Sequence, residues 1–441
     1  MRISSTMMSN NYLKQLNGTY EQYSKLMEQA DGSKLHRASD NAVGYSKYLR
    51  YQNNQISNEQ YQSNVSTAAS WMKNADAALV NVTDLLQTFK AKVEQGSNST
   101  NNESDMKDIA KELLANVQEQ VADLNTQIGD RFLFAGQKDT TMPFEISADK
   151  MNRGDTFTLD EKQSAFFSGA TGWGAENTTV KQMLKLNGDD GNSYYMNVNT
   201  GDVYTEDFVK NGYKNEDKFD PAKQRVGNIT AITDPPTAYK VSDHFDQYGV
   251  IKTDAGVGTN AKYNVTVDGK QVNLKLSTTK QYIVKYAGDD KYISMVKKNG
   301  GVDKATDTVN VTGQDINGCD LFDVGNDPHS GTARLNQLLY TVAKLDGADY
   351  KWAGEQGMTI ADSAHATVLG AQTKMAARQQ AYNSSSSMLV TQNESITSDI
   401  SDVSSTDVAQ LATKLMEYQT IYSLSLSVGS KILPGTLADY L

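Results

Sequence analysis

Residues 65–93 read VSTAASWMKNADAALVNVTDLLQTFKAKV, and no Pro or Gly interrupts them. Apolar side chains recur there at alternating steps of three and four residues: Val65, Ala68, Met72, Ala75, Leu79, Val82, Leu86, Phe89 and Val93. This heptad spacing is typical of a helix with one narrow apolar stripe that must be buried against partner helices. Such a helix would extend about 44 Å. We therefore predict a helical rod.

Helical patterns on either side supply candidate partners for this rod. Gly96 ends the rod, and a return helix over residues 104–128 is predicted to run antiparallel to it, as in an αα-hairpin. Its apolar face is Met106, Ile109, Leu113, Val117, Leu124 and Ile128. A second rod follows Gly357, with heptad-spaced Ala361, Val368, Met375, Tyr382, Leu389, Ile396 and Val403. The simplest arrangement pairs the two rods antiparallel.

Two shorter heptad seams lie outside the rods, one at each end of the chain. Asp31-Gly32-Ser33 separates the first seam from a helix that Ser39 or Asp40 could cap, and residues 404–407 separate the second. We predict a subunit interface on these seams, formed by Leu13, Leu16, Tyr20, Tyr23, Met27, Val408, Leu411, Leu415, Tyr422 and Leu426. The seams lack enough partners within the chain, so we expect them to be disordered in a monomer and to fold on assembly. The alternative is that they close an intramolecular bundle.

The helical period is lost between the rods, where Gly, Asp, Asn and Thr become frequent. Alternating apolar residues on both sides of Asp268-Gly269 predict a β-hairpin. A second hairpin is predicted around residues 288–290, and a further strand at Val309 and Val311. The predicted fold class is α+β, an antiparallel long-helix coiled-coil bundle with a central β-rich insertion. Its predicted divisions are residues 1–38, 39–136, 137–329, 330–404 and 405–441.

Composition and motifs exclude several classes of function. The formal net charge of −11 disfavours nucleic acid, and no apolar run is long enough to cross a membrane. The N-terminus lacks the apolar region of a secretory signal. We predict no enzyme activity, metal or cofactor, because the sequence contains no catalytic motif and no residues at the spacing of metal ligands. We interpret the glycines near Trp173 as a loop and residues 187–192 as a surface turn. We assign no catalytic or metal-binding role to His36, His365 or Cys319.

Several motifs resemble the bacterial flagellar filament and hook-associated proteins. Residues 32–46, GSKLHRASDNAVGYS, are similar to the N-terminal flagellin motif, with Asp40, Asn41 and Gly44 at its core; Asn41 stands where the family usually has Asp. Residues 369–371 resemble the C-terminal rod. Three features favour the hook–filament junction branch, hook-associated protein 3: the start MRIS, the segment RFLFAG with Phe132, Phe134 and Gly136, and the ending LADYL with Tyr440 and Leu441.

The resemblance implies a structural role in an extracellular bacterial flagellum. Members of this family are exported through the flagellar type III apparatus without a cleaved signal and are kept soluble by an export chaperone. They assemble with copies of themselves, between the first hook-associated protein and flagellin. Two alternatives stay open: a flagellin that forms the filament, and a flagellar-surface adhesin that binds glycans through the central domain. A hydrolase domain in the insertion is the weakest alternative.

Overall fold

The computed structural model describes residues 5–39, 41–168, 180–212, 224–229, 241–252, 262–294, 308–318, 321–322 and 331–432. Its helices are α1 (Ser5–Glu28), α2 (Ala42–Gly96), α3 (Glu103–Leu124), α4 (Glu161–Phe167), α5 (Glu206–Asn211), α6 (Val241–His244), α7 (Gly313–Asn317), α8 (Ala333–Asp346), α9 (Tyr350–Trp352), α10 (Met358–Ser404) and α11 (Val408–Ile432).

The strands lie between α3 and α7 in the chain. They are β1 (Gln127–Ile128), β2 (Arg131–Phe132), β3 (Phe144–Ile146), β4 (Met151–Gly154), β5 (Thr156–Thr158), β6 (Gln182–Gly188), β7 (Ser193–Met196), β8 (Asp202–Thr205), β9 (Gly227–Asn228), β10 (Lys262–Val267), β11 (Lys270–Leu276), β12 (Thr278–Gln281) and β13 (Val284–Tyr286). The predicted class, long helices with a β-rich insertion, is confirmed.

The chain forms two compact units. The first unit takes the described residues of 1–66 and 384–441, and the second takes those of 67–296 and 301–383. Helices α2 and α10 contribute residues to both. Among the described residues, no helix combines the length and apolarity needed to cross a bilayer.

The heptad stripe of residues 65–93 is buried as predicted. All nine side chains lie in α2 and are at most 1% exposed. In the second unit α2 contacts α3 through Lys92 and Glu112, and α10 through Lys90 and Asp362. Both pairings run antiparallel. Going back along α2, the contacts advance along α3 from Lys92–Glu112 to Leu85–Asn116, and they advance toward α10 from Val93–Gly357 to Lys90–Asp362. The stripe therefore belongs to an intramolecular helix bundle, as predicted.

The return helix α3 is shorter than predicted. Asn102 caps its N-terminus by accepting a hydrogen bond from the Asp105 N–H, and the Asp105 carboxylate accepts one from Asn102 in return. The helix ends at Leu124, and Ile128 lies in strand β1 instead. The prediction for Ile128 was wrong because Gly129, at φ +64°, turns the chain into the β1–β2 hairpin.

The second rod is confirmed as α10, and most of its heptad positions are buried. Ala361, Val368, Met375, Tyr382, Leu389 and Ile396 are buried, while Val403 near the C-terminal end is half-buried. The preceding α8 buries Leu335, Leu338, Val342 and Leu345.

The central sheet has seven antiparallel strands in the order β10-β11-β6-β7-β8-β9, and β5 pairs with β6. The predicted hairpin at Asp268-Gly269 is confirmed: β10 and β11 pair over residues 262–275. Asp268 at φ +50° and Gly269 at φ +78° both adopt the left-handed conformation that a two-residue hairpin requires. Residues 189–192 form the β6–β7 turn, within the stretch 187–192 that is interpreted above as a surface turn, and Asn187 and Gly188 end β6.

The second predicted hairpin and the strand at residues 309–311 were wrong. Strand β13 pairs with β3, far away in sequence, rather than with residues 292–294. The Asn310 side chain bonds to the backbone of residues 291–293. It accepts a hydrogen bond from the Ile293 N–H and donates one to the Lys291 carbonyl. Val309 and Val311 are buried, but among the described residues this segment forms only an isolated bridge between Ser294 and Thr308 instead of a strand.

Both predicted helix breaks are confirmed. The chain leaves α1 through a short 3-10 turn, and Gly32 adopts φ +96°. The next helix is capped by Asn41, whose Oδ1 accepts from the Gly44 N–H, rather than by Ser39; Asp40 lies outside the described residues. At the second break, the Asp407 carboxylate caps α11 by accepting from Ala409 and Gln410.

Candidate assembly surface

Helices α1 and α11 of the first unit pack against each other antiparallel. The Tyr12 hydroxyl donates to the Ser425 carbonyl over 2.5 Å, and the rings of Tyr20 and Tyr23 lie 5.6 and 6.4 Å from that of Tyr422. Gly429 permits this approach, because a Cβ there would lie 2.1 Å from the Tyr12 hydroxyl oxygen. The two terminal seams are therefore partners of each other within the chain.

The segment that follows α1 is also bonded to the segment that precedes α11. The Lys34 N–H donates to the Ser404 carbonyl, and the Thr406 N–H donates to the Gly32 carbonyl. Ser33 and Ser405 form an antiparallel bridge between these bonds. Backbone hydrogen bonds thus hold the C-terminal end of α1 beside the start of α11.

The pairing covers only part of the predicted interface. Leu411 is buried, and Leu16, Tyr23, Leu415 and Tyr422 are half-buried. The remaining predicted residues are exposed to solvent: Leu13, Tyr20, Met27, Val408 and Leu426. A single helix partner thus leaves about half of the predicted positions open. Their burial between subunits stays a prediction.

The structure adds exposed apolar residues that the heptad pattern missed. They are Met7, Met8, Met416, Ile421, Leu424 and Val428. Met416 is 68% exposed and Leu424 61% exposed. A scarcity of charge could have signalled them: α1 contains two lysines and two glutamates, and α11 contains two lysines and one glutamate. Large exposed apolar areas with few charges mark interaction sites.

An open groove of about 660 Å³ runs between α1 and α11. Gly18 lies on one side of it, with no atom within 4 Å of its missing Cβ, and Ile421, Leu424 and Val428 lie on the other. The groove is therefore a concave surface with an apolar wall on α11 and a mostly polar wall on α1.

A buried polar contact joins α2 and α10 in the first unit. The Asn58 side chain is 4% exposed and donates to Gln392 Oε1 over 3.2 Å. Gln62 donates both to Asn58 Oδ1 and to the Leu389 carbonyl. These side-chain hydrogen bonds lie in the Asn- and Gln-rich part of α2. Buried amides of this kind restrict a coiled coil to one register.

The motif RFLFAG connects α3 to the β region of the second unit. Phe132, Phe134 and Ala135 are buried. The Phe134 carbonyl accepts from the Tyr286 hydroxyl over 3.0 Å and from the Gly313 N–H over 3.1 Å. Burial raises the pKa of Tyr286, so its hydroxyl remains a donor throughout the physiological range. These motif residues hold the strands against the helices. Tyr440, Leu441 and residues 1–4 lie outside the described residues.

We expect Gly136→Ala to destabilise the second unit by at least about 2 kcal/mol. Gly136 has φ +71°, and a Cβ there would lie 2.1 Å from the Asp289 carbonyl oxygen. Gly129→Ala is the matched control, because Gly129 has φ +64° but no atom within 4 Å of its missing Cβ. Urea unfolding followed by tryptophan fluorescence measures both variants. Equal destabilisation of the two would show that the contact with Asp289 has no energetic effect.

The other candidates from the sequence do not form a site. His36 is half-buried and lies 3.2 Å from Asp31 in the first unit, and His365 lies on α10 in the second. Cys319, Trp173 and the glycines beside it lie outside the described residues. Within the described part of the chain, no group of three or more His, Cys, Asp or Glu is placed to hold a metal ion.

Comparisons with known proteins find similarity to flagellar proteins. Residues 3–139 match the bacterial flagellin N-terminal helical region. The flagellins of Salmonella montevideo and Salmonella moscow are each 26% identical to this chain in an alignment of 302 positions that covers 59% of this chain. The chain covers 58% of the length of these curated relatives.

Two solved structures of flagellar proteins resemble this chain loosely. A putative flagellar hook-associated protein from Vibrio parahaemolyticus is 14% identical, with a TM-score of 0.44 over 83% of this chain and 100% of its own. The flagellar junction protein FlgL from Legionella pneumophila is 12% identical, with a TM-score of 0.34 over 76% of this chain and 98% of its own. These superpositions are too loose to carry an argument about function. The N-terminal match is based on sequence, and it shows that residues 3–139 of this chain are similar to the bacterial flagellin N-terminal helical region.

Proposed function

We propose that the chain is a structural subunit of the bacterial flagellum, which joins the hook-associated ring to the flagellin filament. The observation that carries this proposal is the exposed apolar surface of the α1–α11 pair. Helix α1 lies within the residues that match the flagellin N-terminal region. An apolar surface with so few charges favours burial against further copies of similar helices.

The proposed mechanism is burial of both terminal helices on assembly. Exposed side chains such as Met416, Leu424 and Val428 would leave water when a neighbouring subunit covers them. Each fully buried side chain of this size contributes about 1.5–3 kcal/mol. Several such side chains on each helix provide a driving force for assembly, and part of it is offset by the ordering of the helices.

The flagellar role brings specific partners and a location. We propose that the chain binds the first hook-associated protein on one side and flagellin on the other, and that copies of it form a ring. It would be exported through the flagellar type III apparatus, without a cleaved signal, and act outside the cell. A chaperone that covers α11 before export would solve the solubility problem posed by its exposed Met416 and Leu424. The role requires no enzyme activity and no cofactor.

Flagellin itself is the second candidate. It is favoured by the identity to the Salmonella flagellins. The junction role is supported instead by the sequence features of residues 131–136 and of the two chain ends, where flagellins usually differ.

Electron microscopy of the purified full-length chain distinguishes these candidates. Ammonium sulfate or filament seeds would be added, because both promote filament growth of flagellins. A junction subunit is expected to bind the seed ends without extending them, and to remain monomeric or form short rings without seeds, since its terminal helices need different neighbours above and below. Growth into long filaments would show that the chain is a flagellin.

A further inference from the structure

One π-helical turn, Ala353–Gly357, joins α9 to α10 in the second unit. Turns of this kind are rare, and they are frequently found at functional sites. Both ends of the turn are packed: the ring of Trp352 lies 4.8 Å from that of Tyr340 on α8, and Ile360 near the start of α10 is buried. Packing at both ends therefore fixes the direction in which the side chains of the turn point.

The turn directs the buried side chain of Gln356 onto strand β5. Gln356 Oε1 accepts a hydrogen bond from the Thr158 N–H over 2.9 Å, and Gln356 Nε2 donates one to the Thr158 carbonyl over 3.4 Å. The next residue, Leu159, donates its N–H to the Lys181 carbonyl next to β6. Successive residues of a strand direct their backbone groups to opposite edges, so those of Thr158 lie on the edge away from β6. The Gln356 side chain takes the place of a neighbouring strand there.

Glu355, the preceding residue of the turn, contacts helix α5. Its Oε2 lies 2.8 Å from Lys210 Nζ, which also lies 3.1 Å from Glu206 Oε1. Elements β5 and α5 both belong to one hydrophobic cluster, which we call the aromatic core. It consists of Phe157, Leu159, Phe166, Phe167, Val180, Met183, Tyr195, Tyr204, Phe208 and Val209. Two consecutive residues of the turn therefore attach two elements of the aromatic core to the helices.

A cleft of about 420 Å³ lies between the aromatic core and the helices. One wall belongs to residues 158–161 and 181–182, and the other includes Gln337 of α8 and Ala364 of α10. The exposed residue Ser363 also lines the cleft, so one side of it opens to solvent. Over this area, in the described part of the chain, the aromatic core is not close-packed against the helices. The two contacts of the turn therefore carry a larger share of its attachment.

Strands β4 and β12 pair with each other on the helix side, and one residue separates each of them from the central sheet. Asp155 joins β4 to β5, and Ser277 joins β11 to β12. The Ser277 hydroxyl donates to Asp155 Oδ2 over 2.7 Å, and the Asp155 N–H donates to the Ser277 carbonyl over 2.9 Å. Gln281 Nε2 ties β12 to α8 by donating to the Asn336 carbonyl. Hinges are commonly a few residues at the ends of elements, which is the position of Asp155 and Ser277.

We propose that the turn Ala353–Gly357 is a latch, and that opening it lets the aromatic core rotate about Asp155 and Ser277 and change the width of the cleft. Thr158 lines the cleft and is held by Gln356, so the latch acts on the wall that moves. Two neutral hydrogen bonds and a partly exposed ion pair are weak enough to break while the aromatic core stays packed. The device is independent of the proposed flagellar role, since none of its residues lies on α1 or α11.

The distance between two spin labels on the full-length chain, measured by double electron–electron resonance, tests this proposal. In a Cys319→Ser background, labels at Lys162→Cys on α4 and Thr373→Cys on α10 report the position of the aromatic core relative to the helices. We expect one narrow distance distribution in the parent and a distribution at least about twofold wider in Gln356→Met. A control pair, Thr373→Cys with Lys280→Cys on β12, lies on the helix side of the hinge and should keep its width.

The parental width in Gln356→Met would overturn the proposal, as would equal broadening of the control pair, which would indicate general loosening of the unit. Because Gln356 is buried and its replacement could impair folding, Glu355→Lys provides a second test from the solvent side. It places a second positive charge beside Lys210 and should widen the distribution of the first pair in the same way. Lys351→Glu changes an exposed charge outside the turn and should keep the parental width. A parental width in Glu355→Lys would also contradict the proposal.

Discussion

Phe89→Ala is expected to lower the free energy of unfolding of the second unit by about 3–5 kcal/mol. Phe89 is fully buried on the heptad stripe of α2, among the largest such side chains of the chain. Removing its ring leaves a cavity that close-packed neighbouring helices fill only in part. The loss is therefore larger than the transfer free energy of the missing atoms alone.

Urea unfolding followed by tryptophan fluorescence measures this effect on the correct unit. Trp71 and Trp352 belong to the second unit, and residues 1–66 and 384–441 contain no tryptophan. Gln87→Ala is the matched control, because Gln87 lies two residues away on the exposed side of the same helix. It should change stability by less than about 0.5 kcal/mol. A loss below 1 kcal/mol for Phe89→Ala would show that the stripe is not a rigid core.

The double variant Met416→Glu/Leu424→Glu is expected to abolish assembly while leaving the free chain folded. Both side chains are exposed in the α1–α11 pair, so charges there remain solvated in the monomer. In an assembly that covers α11, the same carboxylates would be buried without partners, at a cost of several kcal/mol each. Pelleting with filament seeds measures assembly, and thermal unfolding measures the fold.

The control for this variant keeps the sites apolar. Met416→Leu/Leu424→Met conserves the apolar character and nearly conserves the volume at the two positions. It should pellet with seeds as the parent chain does. If the double glutamate variant also pelleted normally, α11 would not be covered in the assembly, and the proposed interface would be wrong on that helix.

The long helices could be predicted because their signals are local and repeated. Every heptad from Val65 to Val93 carries its apolar residues, so the prediction of the stripe did not depend on any one residue. The Asp268-Gly269 turn was equally local, since two residues with positive φ fix both the turn and the register of its strands. The second predicted hairpin failed for the opposite reason. Its turn residue Asp289 accepts a hydrogen bond from the Gln137 N–H, 152 positions away. Such a contact cannot be recognised from the sequence around Asp289.

The candidate assembly surface was predicted in part. The seams identified α1 and α11 as apolar, but a stripe does not specify which helix covers it, and the pairing of Tyr12 with Ser425 was not foreseen. Gly429, isolated within a helix, was the one local sign of a close approach. The burial of Arg334, which bonds to Gln120 and Asn317, could not have been predicted, because one basic residue at the start of an amphipathic helix is usually solvated.

Hydrogen–deuterium exchange of the full-length chain, free and bound to filament seeds, tests the central claim most directly. The account predicts that the amides of α1 and α11 exchange much faster in the free chain than those of α3, because only a single pairing protects them. On seeds, the amides of α1 and α11 should become protected by at least about a hundredfold, while those of α3 remain unchanged. Protection of α1 and α11 equal to that of α3 in the free chain, with no change on seeds, would contradict the claim that these helices are buried by assembly.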